Sequence, residues 1–230
     1  AAEVPPSQEA KLAAALLHEL HLGDGSHFAP YLAMLPAWHD LAPAHPLHWP
    51  GGTRVEELLS GSVHGQTLAS KCLREGRQRI DALMACGVAL TEDEARWALT
   101  VVDSRAFTFC AGAPDAELAL VPLLDILNTF ALMEEDSGDL WQCAFQPKGP
   151  VADGGLMVAE RDLQAGEELV HLYESNSSAR LWMTYGFVPE GMGENPFEGA
   201  AIRVDLQRAL AADGGDLRSA KLQALQDAGV

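Results

Sequence analysis

The hydrophobic pattern of this chain changes period near Arg105, and that change constrains the fold more than any other feature. Before it, apolar residues recur at three and four: "SQEAKLAAALLHELHLG" (7–23) runs from a capping Ser7 to a stop at Gly23 and reads as an amphipathic helix. "FAPYLAMLPAW" (28–38) reads as a short helix closed by Pro36, and "HDLAPAHPLHWPGG" (39–52), rich in Pro and Gly, as a loop. Helical spacing returns over 53–87 and again over 91–107, where Thr91 and Glu94 form a capping box. After Arg105 come short apolar runs separated by Gly, Pro and Asp: "LALVPLLDIL", "LWQCAFQP", "GGLMVAERDL" and "EELVHLY". These read as strands, with "DLQAGEELV" (162–170) predicting a tight turn between two of them at Gly166. Helices first and strands afterwards make an α+β protein. "AIRVDL" (201–206) predicts one more strand and "DLRSAKLQALQDAG" (216–229) one more helix.

Charge narrows the partners. The chain has 33 Asp and Glu against 15 Lys and Arg, a formal charge of -18, which repels a phosphate backbone or an anionic membrane and attracts a cationic protein segment. Neither nucleic acid nor membrane is therefore an expected partner. No apolar run reaches transmembrane length, and "AAEVPPSQEA" lacks the basic and apolar regions of a secretory signal, so an intracellular protein is expected. Cys72, Cys86, Cys110 and Cys143 are far apart, which predicts reduced and mostly buried thiols. The eight histidines crowd the first third without carboxylate or cysteine partners at ligand spacing, so no metal site is expected.

Two of the three tyrosines, Tyr173 and Tyr185, stand either side of a Ser/Asn run that exits at Gly-Phe-Val-Pro. Upstream, "DSRAF" (103–107) and "LVPLLDILNTF" (120–130) put Arg105, Asp125 and Asn128 where their neighbours predict burial. Buried polar groups need partners, from the protein or from a ligand. Asp125 can pair with Arg105, Asn128 can cap a turn, and the tyrosine hydroxyls can reach backbone carbonyls, so the residues alone leave a satisfied core network and a ligand site both open.

The order "SRAF", "LVPLLDILN", "AGEELVHLY", "SSARLWMTYGFVPE" resembles the SET-domain methyltransferases of the Rubisco large-subunit lysine methyltransferase type, and "LAAALLHELHLG" with "FAPYLAMLP" resembles the start of that family's helical insertion. The resemblance implies a SET domain of short strands with a threaded C-terminal segment. In it, residues 1–100 are the helical insertion, 101–190 the part with the active site, and 191–230 the beginning of a C-terminal substrate-binding domain. It implies protein-lysine N-methylation with S-adenosylmethionine, a substrate protein bearing a target lysine, and a chloroplast, cytoplasmic or nuclear setting. Histidine methylation and a non-catalytic interaction module are its alternatives.

By the same resemblance Tyr173 lies nearest the transferred methyl group and Tyr185 is the second wall of a channel. Arg105 reaches the cofactor carboxylate, Asp125 and Asn128 run beside the cofactor, and Ser177, Ser178 and Ala179 follow the catalytic tyrosine and also touch it. The sequence departs from the family at Thr129, where a histidine is usual, and at Ser178, where an asparagine is usual. The family's Gly-rich strand has no counterpart ahead of the helices, so the chain is expected to begin inside the domain and to end after the first helix of the next one.

Overall fold

The computed structural model of the chain describes residues 7–49, 53–109, 116–130, 143–147, 155–190 and 195–198, all within one compact unit, Ala1–Gly199. Helix α1 (Gln8–Leu22) begins where Ser7 Oγ accepts from the Ala10 N–H and ends at Gly23, whose φ of 53° a side chain would oppose. Two single-turn helices follow, α2 (Ala29–Leu32) and α3 (Trp38–Leu41), then a 3-10 turn at Pro46–His48. The expected loop of 39–52 is thus partly helical as far as Trp49, because the short-range bonds His48 N to His45 O and Ala42 N to Trp38 O satisfy the backbone between its prolines. Helices α4 (Thr53–Leu58), α5 (Val63–Ala85) and α6 (Glu92–Arg105) complete the helical part.

Helix α6 is the axis of the core. Seven of its residues are buried, Ala95 and Trp97 through Val102, so it is covered nearly all round. Leu16 and Leu17 of α1 and Ile80 and Leu83 of α5 pack against it, and the Trp97 indole donates to Pro36 O at 2.8 Å. Its start departs from a capping box in one respect. Thr91 Oγ1 accepts from Glu94 N, but the Glu94 carboxylate accepts from Leu90 N at 2.7 Å, one residue ahead of the cap.

Among the described residues the strands are fewer than expected. β1 (Ala106–Phe109) continues directly from α6 and pairs antiparallel with β2 (Glu117–Leu120), Ala106 opposite Leu120. β3 (Cys143–Pro147) pairs antiparallel with β4 (Gly155–Ala159). The run "LALVPLLDIL" stops being a strand at Leu120: Pro122 cannot donate to a ladder, Leu123 turns at φ 76°, and a 3-10 turn follows at Leu124–Ile126. "EELVHLY" forms no strand among the described residues, which show the parallel bridge of Asn128 to Val170, closed by His171 N to Asn128 O. Gly166 does turn at φ 88°, although no ladder spans it among the described residues. The sequence pattern missed α7 (Ser178–Tyr185), an eight-residue helix begun by Ser177 and ended by Gly186 at φ 80°. Its Met183 packs with Val55 of α4 and Ala69 of α5 in a second, smaller core. Cys72 is half-buried and Cys86 exposed at the end of α5, against the expectation of mostly buried thiols. The strand and helix expected beyond 200 lie outside the described residues, as does Cys110.

Candidate active site

Three stretches far apart in sequence converge on one cavity of about 1200 Å³. The end of α6 and the start of β1 bring Arg105 and Phe107, the 3-10 turn brings Asp125, and 171–174 with α7 bring His171, Tyr173 and Tyr185. The backbone explains the meeting: α6 runs without a break into β1, β2 returns alongside, and the Asn128–Val170 bridge ties the following segment to the stretch bearing Tyr173.

Asp125 is the buried anchor, its side chain wholly covered. Its Oδ2 accepts from the Tyr31 hydroxyl at 2.6 Å and lies 3.8 Å from Arg105 Nη1, which itself donates to Asp125 O at 2.8 Å. Asp125 Oδ1 has no hydrogen-bond partner among the described residues. Burial raises the Asp125 carboxyl above the usual range, opposed by the Tyr31 hydrogen bond and the Arg105 charge. Burial, followed by the hydrogen bond and charge of Asp125, pushes the Tyr31 phenol well above its ordinary value. Arg105 and Asp125 therefore do pair, as their spacing allows, and Tyr31 is the partner that the sequence did not reveal.

The two tyrosines meet. Their ring centroids are 4.9 Å apart, so they form one continuous wall with His171, 5.0 Å from Tyr173, and Phe107, stacked on His171 at 5.9 Å. The Tyr173 hydroxyl donates to Leu127 O at 2.7 Å and retains lone pairs to accept another bond. Burial raises both phenols, with the Glu174 charge adding to the effect at Tyr185, so both stay protonated near neutrality. His171 carried a legible signal: in an extended segment it shares a face with Tyr173, two residues on.

The other predicted residues stand outside the cavity. Asn128 is exposed, not buried, and donates to Glu168 Oε1 at 2.7 Å instead of capping a turn, because its backbone is the part committed to the bridge. Thr129 Oγ1 accepts from the Tyr173 N–H at 3.2 Å, so it holds the catalytic candidate in register. Ser177 caps α7 through Arg180 N, Ser178 N donates to Glu198 Oε1 at 2.7 Å, and Ala179 lies in the first turn. It is the far end of α7, from Arg180 to Tyr185, that lines the cavity.

Two further histidines support this end. His45, 3 % exposed, accepts from Leu47 N through Nδ1 and donates from Nε2 to Thr184 O at 3.2 Å. His48 Nε2 bonds Thr100 Oγ1 at 2.7 Å, and its Nδ1 is buried without a partner among the described residues. Burial lowers both, His48 to about 3, and also lowers His171. A base held below its unfolded value gains its proton first in the unfolded chain. Stability is therefore full above about pH 6.5 and is lost as pH falls from there towards the folded values, by up to about 1.4 kcal/mol per pH unit for each histidine. Partial exposure lowers the His48 share. Thermal melts between pH 7.5 and 5 are expected to show this loss, and a His48→Gln variant a shallower one. An unchanged slope would remove His48 from the account.

No family model matches the chain, and no curated protein does. Among solved structures the chain is similar to Rubisco LSMT bound to sinefungin and monomethyllysine, with a TM-score of 0.56 and 18% identity over 82% of this chain and 41% of that one. It is also similar to the SET domain of LSMT bound to lysine and AdoHcy, with a TM-score of 0.55 and 17% identity over 78% of this chain and 39% of that one. The chain thus spans about two fifths of the length of these structures. With α1–α6 leading through β1 into short antiparallel pairs and a tyrosine-bearing segment, the chain has the α+β fold of a SET domain.

Proposed function

We propose that the protein is an S-adenosylmethionine-dependent protein-lysine N-methyltransferase that holds the acceptor amine at Tyr173. The observation that carries this reading is the convergence of Arg105, Asp125, Tyr173 and Tyr185 on one cavity. The fold adds weight, since the similar structures contain AdoHcy, lysine or monomethyllysine.

The residues present suit such a cofactor. At about 1200 Å³ the cavity exceeds the ~1,000 Å³ upper range of single small-molecule pockets, which leaves room for a side chain beside a cofactor. The Arg105 guanidinium, on the cavity wall, suits a carboxylate, and the covered Asp125 carboxylate 3.8 Å behind it holds it there. When bound, S-adenosylmethionine supplies a sulfonium-activated methyl group for transfer to an amine.

The protein's own residues would orient the amine and keep water away. With its proton committed to Leu127 O, the Tyr173 oxygen can accept from the acceptor amine and leave the nitrogen lone pair pointing away from the ring. Neither phenol serves as a base, because burial keeps both protonated. Lysine must therefore arrive neutral, which loss of water around the ammonium favours. The aromatic wall of Phe107, His171, Tyr173 and Tyr185 excludes solvent from that spot. A formal charge of -18 favours approach of a lysine-bearing segment.

Calorimetric titration of S-adenosylmethionine into the chain tests the reading. Binding is expected, weakened about tenfold or more in Arg105→Leu, the magnitude of one charge-assisted hydrogen bond. Absence of binding by a chain with a cooperative melt would overturn the cofactor assignment and favour a scaffold without catalysis.

A further inference from the structure

The turn at Pro46–His48 and helix α7 are far apart in sequence, yet one side chain joins them. His45 Nε2 reaches Thr184 O at 3.2 Å across 139 residues. Helix ends leave carbonyls without intrahelical donors, and in the last turn of α7 the Gly186 N–H returns to Trp182 O. His45 therefore supplies a donor to Thr184 O that the helix does not. Because Leu47 N–H occupies Nδ1, the neutral ring must carry its proton on Nε2, and one tautomer is selected.

The residue on the other side of Tyr185, Gly186, passes close to His45. Gly186 sits at φ 80°, and a Cβ there would lie 3.3 Å from His45 Cβ and 3.4 Å from its Cα and Cδ2. Glycine is thus favoured twice, by the left-handed backbone and by the close approach of His45. Of the residues either side of Tyr185, Thr184 is bonded to His45, and Gly186 lies where an added Cβ would crowd that residue. Tyr185 in turn packs on Tyr173 at 4.9 Å.

We propose that His45 is a positioning residue that, as a neutral Nε2–H donor, sets the Tyr185 ring against Tyr173. A second proton on the ring would displace the Leu47 N–H from Nδ1 and loosen the turn that presents His45. The charged and titratable groups facing it are His48 in its own turn, with ring centroids 5.7 Å apart, Asp103 on α6 and Arg79 on α5. Asp103 and Arg79 are bound to each other at 2.7 and 2.8 Å, which largely cancels their effect on the ring, and α7 contributes the Thr184 carbonyl.

The inference rests on the proposed methyl transfer only in its kinetic arm. With three tyrosines in the chain, isotope-labelled tyrosine ring signals can be assigned by single Tyr→Phe variants. In the unaltered chain, lowering the pH from 7 until the His45 ring protons titrate is expected to move the Tyr185 signal in step with them, while the Tyr31 signal follows the Asp125 carboxylate that its hydroxyl donates to. A Tyr185 signal that stays put while His45 titrates would overturn the proposal, and this arm needs no variant to fold. His45→Leu is expected to shift Tyr185 and lower kcat about tenfold with little change in cofactor KM, less than the ~100-fold that a misplacement of about 1 Å costs. His45→Gln, whose amide can still donate to Thr184 O, is expected to restore both. Equal loss in the Leu and Gln variants would mean packing alone and would also overturn it. Absence of methyl transfer in the unaltered chain bears on the proposed function, not on the tyrosine signals.

Discussion

Tyr173→Phe is expected to lower the methyl-transfer rate at least about 100-fold, about 2.7 kcal/mol of transition-state free energy, while the chain stays folded. The substitution removes one oxygen and nothing else. The ring keeps its contacts with His171 at 5.0 Å and Tyr185 at 4.9 Å, and the backbone N–H keeps Thr129 Oγ1. What is lost is the bond to Leu127 O and the acceptor that would orient the amine. The first loss costs about 1 kcal/mol of stability, visible as a small drop in melting temperature. The second removes the alignment of the nitrogen lone pair, and alignment is where enzymes gain most in a two-body displacement. Single-turnover transfer of a labelled methyl group to lysine peptides, measured beside a thermal melt, separates the two. A rate within a few-fold of the unaltered chain would remove Tyr173 from the chemistry.

The helical part of the fold could be read from the sequence because its signals are local. Ser7 and Gly23 bound α1, and Thr91 begins α6, each through a bond spanning three or four residues. The second half depends on pairings that local pattern does not encode. "EELVHLY" is apolar enough for a strand, yet among the described residues its pairing is the isolated bridge to Asn128. Helix α7 hides because eight residues beginning Ser-Ala-Arg show barely two turns of period. The site divides the same way. Arg105 and Asp125 announce themselves as polar residues in apolar runs, and they do meet. Asn128 has the same signature but points outward, because the bridge needs only its carbonyl. Tyr31 and His45 give no local sign, since their partners lie 94 and 139 residues away.

Asp125→Ala is expected to cost about 2–3 kcal/mol in urea unfolding at pH 7, and Asp125→Asn nothing. The difference lies in what each leaves behind. Alanine strands the hydroxyl of Tyr31, a residue 9 % exposed, without its acceptor at 2.6 Å, whereas the asparagine carbonyl can still accept that bond. Asparagine removes only the charge, and the raised Asp125 carboxyl indicates that this charge opposes folding. An acid held above its unfolded value binds its proton first in the folded chain, so ionisation withdraws stability as pH rises through the folded value. At pH 7 the Asn variant should therefore match or exceed the unaltered chain, and that advantage should fade as pH falls towards about 4, the unfolded value. Tyr31→Phe supplies the cross-check. If the hydroxyl to carboxylate bond dominates, Asp125→Ala should cost less in the Tyr31→Phe background than alone, by about 1 kcal/mol, the size expected for coupling between residues in contact. Additive losses would mean instead that Arg105, 3.8 Å from the carboxylate, is the partner that matters. In that case the same Asp125→Ala substitution should change cofactor affinity through Arg105, whereas Tyr31→Phe should leave it unaltered, which places the link between helix α2 and the cavity under direct test.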